Sequence, residues 1–176
     1  RTRQMSDKVV IGWKVASLDP NIASVRYRAI LPSILLESVA IQSKRFSCSS
    51  MKNLQGIDVL VIVKSLTEED VFLAEQAAER GIPVILDLCD NIFVPGYLGR
   101  GKVRPADNFM AMAQHAAAIA ASTETLAGEI TRNIGEQPRV FVVPDGLMAL
   151  GQEYGNHSFR WERFCEIGRG VLASFR

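Results

Sequence analysis

Histidine and cysteine are scarce, and neither is clustered. His115 and His157 have no neighbour at ligand spacing, and Cys48, Cys89 and Cys165 form no CxxC pair. Zinc sites of either the structural or the catalytic kind need such spacing, so no metal site is expected. An odd number of dispersed cysteines fits a reduced, cytoplasmic protein rather than a disulfide framework. Cys89 is expected in or near the core as a small apolar residue. No apolar run approaches the roughly 20 residues of a membrane-spanning helix. The opening "RTRQMSDKVV" lacks the apolar stretch of a secretory signal, and peripheral membrane contact is not evident. An excess of charge of one sign is missing too: 20 basic residues face 19 acidic ones, a net charge of +1, which disfavours nucleic acid as a partner. Three motifs are absent. Without GxGxxG after the first strand, GxxxxGK[ST] or GxSxG, dinucleotide binding, Walker-type phosphate binding and a Ser-His-Asp hydrolase are all disfavoured.

What the chain does have is alternation of two kinds of segment. "KVVIGW" (8–13), "IQSKRF" (41–46), "IDVLVIV" (57–63), "IPVILDL" (82–88), "AAAIAAS" (116–122) and "RVFVVPDG" (139–146) read as strands, mostly apolar without alternation. Between them lie helical stretches. "SVRYRAILPSILLES" repeats Val25, Ile30, Ile34, Leu35 and Val39 near helical spacing, and Pro32 inside it predicts a kink or break at Leu31. "SLTEEDVFLAEQAAERG" has Thr67 as a cap, Asp70 three residues on and Gly81 as a stop. Helices are also predicted over about 105–115 and over "TETLAGEITRNIG" (123–135). Continuously apolar strands alternating with helices define an α/β fold: three layers, a mostly parallel Rossmann-like sheet with helices on both faces, and a C-terminal amphipathic helix. Residues 1–7 read as an N-terminal extension or expression remnant, 8–147 as the Rossmann-like domain and 148–158 as a linker. Residues 159–176 read as the final helix, with Trp161, Phe164, Ile167, Val171 and Leu172 near one face.

In open parallel sheets, ligands bind beyond the carboxyl ends of the strands. The loops there begin at Ala16-Ser17-Leu18-Asp19, at Lys64-Ser65, at Asp87-Asp90-Asn91 and at Pro144-Asp145-Gly146. Ser122-Thr123 opens a helix whose free N–H groups suit an anion, although either residue also suits a plain N-cap. Arg26 and Arg28 stand near the same edge. At least one guanidinium could clamp a phosphate or carboxylate, the alternative being solvation or pairing with Asp19 or Glu37. Asp90 and Asn91 are placed to meet a ligand hydroxyl, Asp90 as a base, whereas Asp87 continues the strand and reads as structural, taking hydrogen bonds from loop N–H groups. A receiver-type signalling domain is disfavoured, because Asp19 is single and no lysine follows the last strand.

Three segments in order carry a resemblance: "SVRYRAILPSILLE", "IDVLVIVKS…AEQAAERGIPVILDLCDN", and "ADNFMAMAQHAAAIAASTETLAGEITRNIGEQPRVFVVPDG" with its ST-x-x-L helix and P-[DN]-G strand end. Together they resemble the N-terminal, Rossmann-like domain of GT-B glycosyltransferases, especially retaining family four, over roughly residues 8–147. The resemblance implies the acceptor-binding half of a nucleotide-sugar-dependent enzyme. Asp90 would be the catalytic candidate, Ser17, Asp19, Arg26 and Asn91 the acceptor-binding residues, and Ser122, Thr123 and Arg28 an anion site. The acceptor would be a sugar or another small or lipid-linked molecule. The sequence departs from the family at three points. The glycine-rich loop after the first strand is missing, "DLCDN" stands where some members have a histidine, and no E-x7-E donor signature occurs. The expectation is therefore no cofactor in this chain, a nucleotide-sugar donor held mainly by a second domain, and no transfer by this chain alone. The alternative is a non-catalytic α/β binding or interaction module, with a homodimer through the C-terminal helix.

Overall fold

Six short strands form one sheet, parallel throughout. β1 (Val10–Val15), β2 (Gln42–Phe46), β3 (Val59–Val63), β4 (Val84–Leu88), β5 (Ala118–Ala121) and β6 (Arg139–Val142) lie in the order β2-β1-β3-β4-β5-β6. The computed structural model describes residues 8–37, 39, 41–97 and 104–145, so the predicted extension, linker and final helix lie outside the described residues. β1, β3, β4 and β5 are flanked on both sides, and β3, β4 and β5 are buried at every position. That is why their sequences are apolar without alternation. β2 is at one edge, where the half-exposed "QSKRF" keeps lysine and arginine on a strand whose outer side is unpaired.

Side chains alternate between the two faces of the sheet. Ile11, Trp13, Val15, Val59, Val61, Val63, Ile85 and Ala120 share one face with Val25, Ala29 and Leu36 of the first helical run. Leu60, Ile62, Val84, Leu86, Leu88, Ile119 and Ala121 share the other with three helices, α3 (Glu68–Glu79), α4 (Pro105–Ala113) and α5 (Glu124–Ile134). The predicted Rossmann-like α/β architecture is thus the one observed, with helices on both faces.

The first helical run differs from its prediction in an instructive way. α1 (Ala23–Val25), a π-helical stretch (Arg26–Ile30) and α2 (Leu31–Glu37) follow one another; of the kink or break predicted at Leu31 there is no break, and the helix changes from π to α at that residue. Pro32 has no N–H to give and its ring would collide with the carbonyl four residues back. The wider turn, in which the Leu31 N–H reaches back to the Arg26 carbonyl, absorbs that conflict one turn upstream. Ser33 then donates to the Ile30 carbonyl at 2.7 Å and accepts from Arg45 of β2 at 2.7 Å, fastening the run to the sheet edge.

α3 begins as its sequence predicts. Thr67 accepts from the Asp70 N–H, and the Asp70 carboxylate accepts from the Thr67 N–H, a reciprocal capping box. Asp70 also does something the sequence reading did not anticipate. It meets Lys14 of β1 at 2.9 Å, and both side chains are buried. Lys14 further donates to the Ser65 hydroxyl at 2.8 Å and to the Val15 carbonyl at 3.1 Å, while Ser49 and Ser65 each donate to Asp70 at 2.7 Å. Among the described residues, no buried side-chain N or O lacks a hydrogen-bond partner. Burial opposes ionisation of Asp70, but the Thr67 N–H, the Lys14 ammonium and the Ser49 hydroxyl outweigh it and hold the carboxyl below its ordinary value of 3.8.

Removing one partner of a buried pair strands the other charge, so Asp70→Ala should cost about 3–5 kcal/mol in urea unfolding. A depressed carboxyl pKa contributes stability that is complete above the ordinary aspartate value and is lost as pH falls through the lower folded-state value. Wild type should therefore lose stability on acidification below the ordinary aspartate value of 3.8, with a smaller loss for Asp70→Asn. An identical acid limb in the two proteins would contradict this role.

Candidate functional site

The sheet changes direction of growth at β1, whose neighbours are β2 on one side and β3 on the other. In such sheets the crevice beyond the carboxyl ends at the reversal is the ligand position. The loops after β1, β3, β4, β5 and β6 all leave from this edge, and they carry every residue predicted from the sequence as a site candidate, apart from Arg26 and Arg28 on the first helical run.

After β1, the loop is organised by its own polar groups. The Ser17 hydroxyl accepts from the Asp19 N–H at 3.1 Å, and Asp19 accepts from both the backbone and the side-chain N–H of Asn21 at 2.9 Å. Arg26 donates to the Pro20 carbonyl at 2.7 Å and lies over the Tyr27 ring at 4.8 Å. Asp19 is exposed and Ser17 and Arg26 are half-buried, so polar atoms of all three reach solvent at the edge. The predicted pairing of an arginine with Asp19 or Glu37 is replaced by these contacts.

Arg28 corrects the sequence reading more sharply. Its Nε donates to Asp87 Oδ1 at 2.5 Å and its Nη2 to Asp87 Oδ2 at 2.8 Å, a fork on a carboxylate. Nη1 donates to the Val143 carbonyl at 2.9 Å and to Asp145 at 2.8 Å. Arg28 is only 4 % exposed and Asp87 only 2 %. Expected as an anion-binding group, Arg28 has its guanidinium committed within the protein, which leaves no free fork for an external anion. The physical reason is the alternation of β4: Asp87 shares a face with Ile85, the face the first helix covers, so its carboxylate points under that helix. Burial works against charge on Arg28, and the Asp87 and Asp145 carboxylates outweigh it, raising the guanidinium's pKa still further. At Asp87, complete burial pushes the carboxyl up against the pull of Arg28, so the carboxylate depends on its partner to stay charged.

Above this buried network, Asp90 pairs with Lys64. Lys64 follows β3 and has φ of 44°, a left-handed conformation for a residue with a Cβ. Its N–H still reaches the Asp87 carbonyl at 2.9 Å, so the turn is fixed to β4. Both side chains are partly open, 32 % for Lys64 and 43 % for Asp90. Burial disfavours the ammonium, but Asp90, with Cys89 and Tyr97 nearby, outweighs it and raises its pKa. Burial and the Asp90 charge push the Cys89 thiol up to about 11, which makes it a poor nucleophile at neutral pH. Asn91 accepts from the Phe93 N–H at 3.0 Å and shapes the following loop. Ser122 donates to the Cys89 carbonyl at 3.3 Å, tying the end of β5 to that of β4. Thr123 is the N-cap of α5, accepting from the Leu126 N–H at 3.1 Å. The structure thus gathers Lys64, Asp90 and Ser122 at three adjacent strand ends, while Ser17, Asp19 and Arg26 keep to their own loop beside β1. Among the described residues, no three His, Cys, Asp or Glu side chains come together as metal ligands, and no helix is long and apolar enough to cross a membrane.

Lys64 and Lys14 carry the charges that sequence reasoning missed. The structure carries β1 on to Val15, past the predicted end at residue 13, so Lys14 lies inside an apolar strand, where a charge calls for a buried counterion. Lys64 gave a weaker signal, a lone cation at the end of "VLVIV" in a loop already assigned to the crevice.

No family model and no curated protein matches the chain. A solved structure does share the fold: the crystal structure of Anabaena Alr3699/HepE in complex with UDP superposes with a TM-score of 0.53 at 15% identity, covering 79% of this chain and 44% of that one. The described domain is therefore of the same Rossmann-like α/β kind, and the chain spans less than half the length of that structure.

The Arg28–Asp87 pair makes a measurable prediction. Either single truncation, Arg28→Met or Asp87→Leu, should cost about 3–5 kcal/mol by stranding a buried charge, and the double variant should cost less than the two singles summed. Additive losses in urea unfolding would show that the two side chains do not act as a pair.

Proposed function

We propose that this chain is the acceptor-binding half of a nucleotide-sugar-dependent glycosyltransferase of the GT-B class, resembling the retaining family four. The observation that carries the reading is the agreement between three ordered sequence segments and a parallel six-stranded domain whose fold matches part of a larger protein crystallised with UDP. The acceptor, a sugar or other hydroxyl-bearing molecule, would lie across the carboxyl edge of β1, β3 and β4, with Ser17, Asp19, Arg26 and Asn91 as hydrogen-bonding groups. Asp90 is the half-open carboxylate of that edge, and its role is to accept a hydrogen bond from, or the proton of, the acceptor hydroxyl. The nucleotide-sugar would be held mainly by a second, donor-binding unit, so transfer by residues 1–176 alone is not expected. The buried Arg28–Asp87–Asp145 network supports this edge from beneath and is not assigned to the ligand.

The test is transfer by the complete enzyme, screened first with UDP-sugars because the fold neighbour was crystallised with UDP. Asp90→Ala should lower transfer by about 100-fold or more, and Arg26→Ala by about tenfold, with melting temperatures near wild type. Transfer at the wild-type rate in both variants would remove the assigned site. Absence of transfer with every nucleotide-sugar tried would favour the non-catalytic binding module.

A further inference from the structure

Three observations converge on Lys64. It stands at the carboxyl end of β3, beside the reversal of strand order where parallel sheets bind ligands. Its backbone is left-handed at φ 44°, a conformation L-residues rarely adopt, and glycine, the residue that suits such a position, is not used there. Its side chain is partly open to solvent, and its one ion pair among the described residues is with the half-open Asp90. Contrast Lys14 one strand away, which is also at this end of the sheet but buried and saturated by Asp70, Ser65 and a carbonyl. Lys14 holds the protein together. Lys64 has solvent on one side, three donors, and a partner that an incoming anion can replace.

We propose that Lys64 binds a phosphoryl group of the ligand, and that this group displaces the Asp90 carboxylate from the ammonium. The inference rests on the reading of this edge as an acceptor site and narrows the acceptor to a phosphorylated one, a sugar phosphate or a lipid-linked phosphate. Before the ligand arrives, Asp90 neutralises Lys64. When the phosphoryl oxygens take over, Asp90 is released and its carboxylate turns to the acceptor hydroxyl. Binding and the readiness of Asp90 are thereby coupled through a single ion pair. No bond to carbon is made or broken in the step; one anion exchanges for another on the ammonium.

Isothermal titration of the chain with inorganic pyrophosphate, at fixed ionic strength to keep general screening constant, tests this without any donor or transfer assay. Saturable binding is expected, weakened about tenfold or more in Lys64→Met and largely retained in Lys64→Arg. Asp90→Asn should bind pyrophosphate more tightly than wild type, since the competing carboxylate is gone. Lys64→Gly should lose binding as Lys64→Met does while melting no lower than that variant, because it relaxes the left-handed backbone. No saturable binding, wild-type affinity in Lys64→Met, or no gain in Asp90→Asn would each overturn the proposal. Those failures leave the glycosyltransferase reading standing with an uncharged acceptor. Conversely, pyrophosphate binding with no transfer by the complete enzyme would leave the anion site standing and sink that reading.

Discussion

One guanidinium holds three distant segments of this chain in a fixed relation. Arg28 comes from the first helical run, Asp87 from the end of β4, and Val143 and Asp145 from the chain just after β6, 59, 115 and 117 residues away in sequence. A buried charge is tolerated only when its partners satisfy it, and here every nitrogen of the guanidinium has one. The first helix is thereby fastened across the sheet at the level of the candidate site, and the chain leaving β6 is held at the same level. The loops that carry Asp90, Asn91 and Ser122 rest on this frame. Two kinds of charge consequently share one edge. The buried ones, Arg28 with Asp87 and Lys14 with Asp70, are saturated by the protein; the half-open ones, Lys64 with Asp90, are available to a ligand.

Much of the fold was legible in the sequence because it follows from local rules. Continuous branched apolar runs gave the buried parallel strands, and Thr67, Asp70 and Gly81 marked the ends of α3. Pro32 marked an irregularity at Leu31 but not its form: a π-turn upstream satisfies the proline's steric demand without ending the helix. The site was legible as an edge but not as a set of partners. The spacing of Arg26 and Arg28 showed that they face differently, yet which one turns inward depends on Asp87, a contact between residues 59 apart. Lys64 was visible only as a cation in a loop. Its left-handed backbone and the bond from its N–H to the Asp87 carbonyl on the neighbouring strand have no counterpart in a local sequence pattern.

The comparison with the UDP-bound Anabaena structure bears on architecture, since 15% identity over 44% of that chain carries no residue-level correspondence. The functional reading therefore depends on this chain's own chemistry. That chemistry is consistent in one respect: the groups able to contact a ligand are hydrogen-bonding and singly charged, whereas the thiol of Cys89 is held protonated.

Lys14 has a further consequence, for the uniqueness of strand pairing. β1 reads "VIGWKV", and two of its residues tie it to the present alignment: Gly12, where even a Cβ would meet the Ile57 side chain at 2.7 Å, and Lys14. A slip of one would carry Lys14 to the opposite face, among Val25 and Ala29 and beside an aspartate that Arg28 already holds, and would leave Asp70 without its cation. An interior strand of a hydrophobic sheet is in this way held to a single register by its one charged residue together with its one glycine.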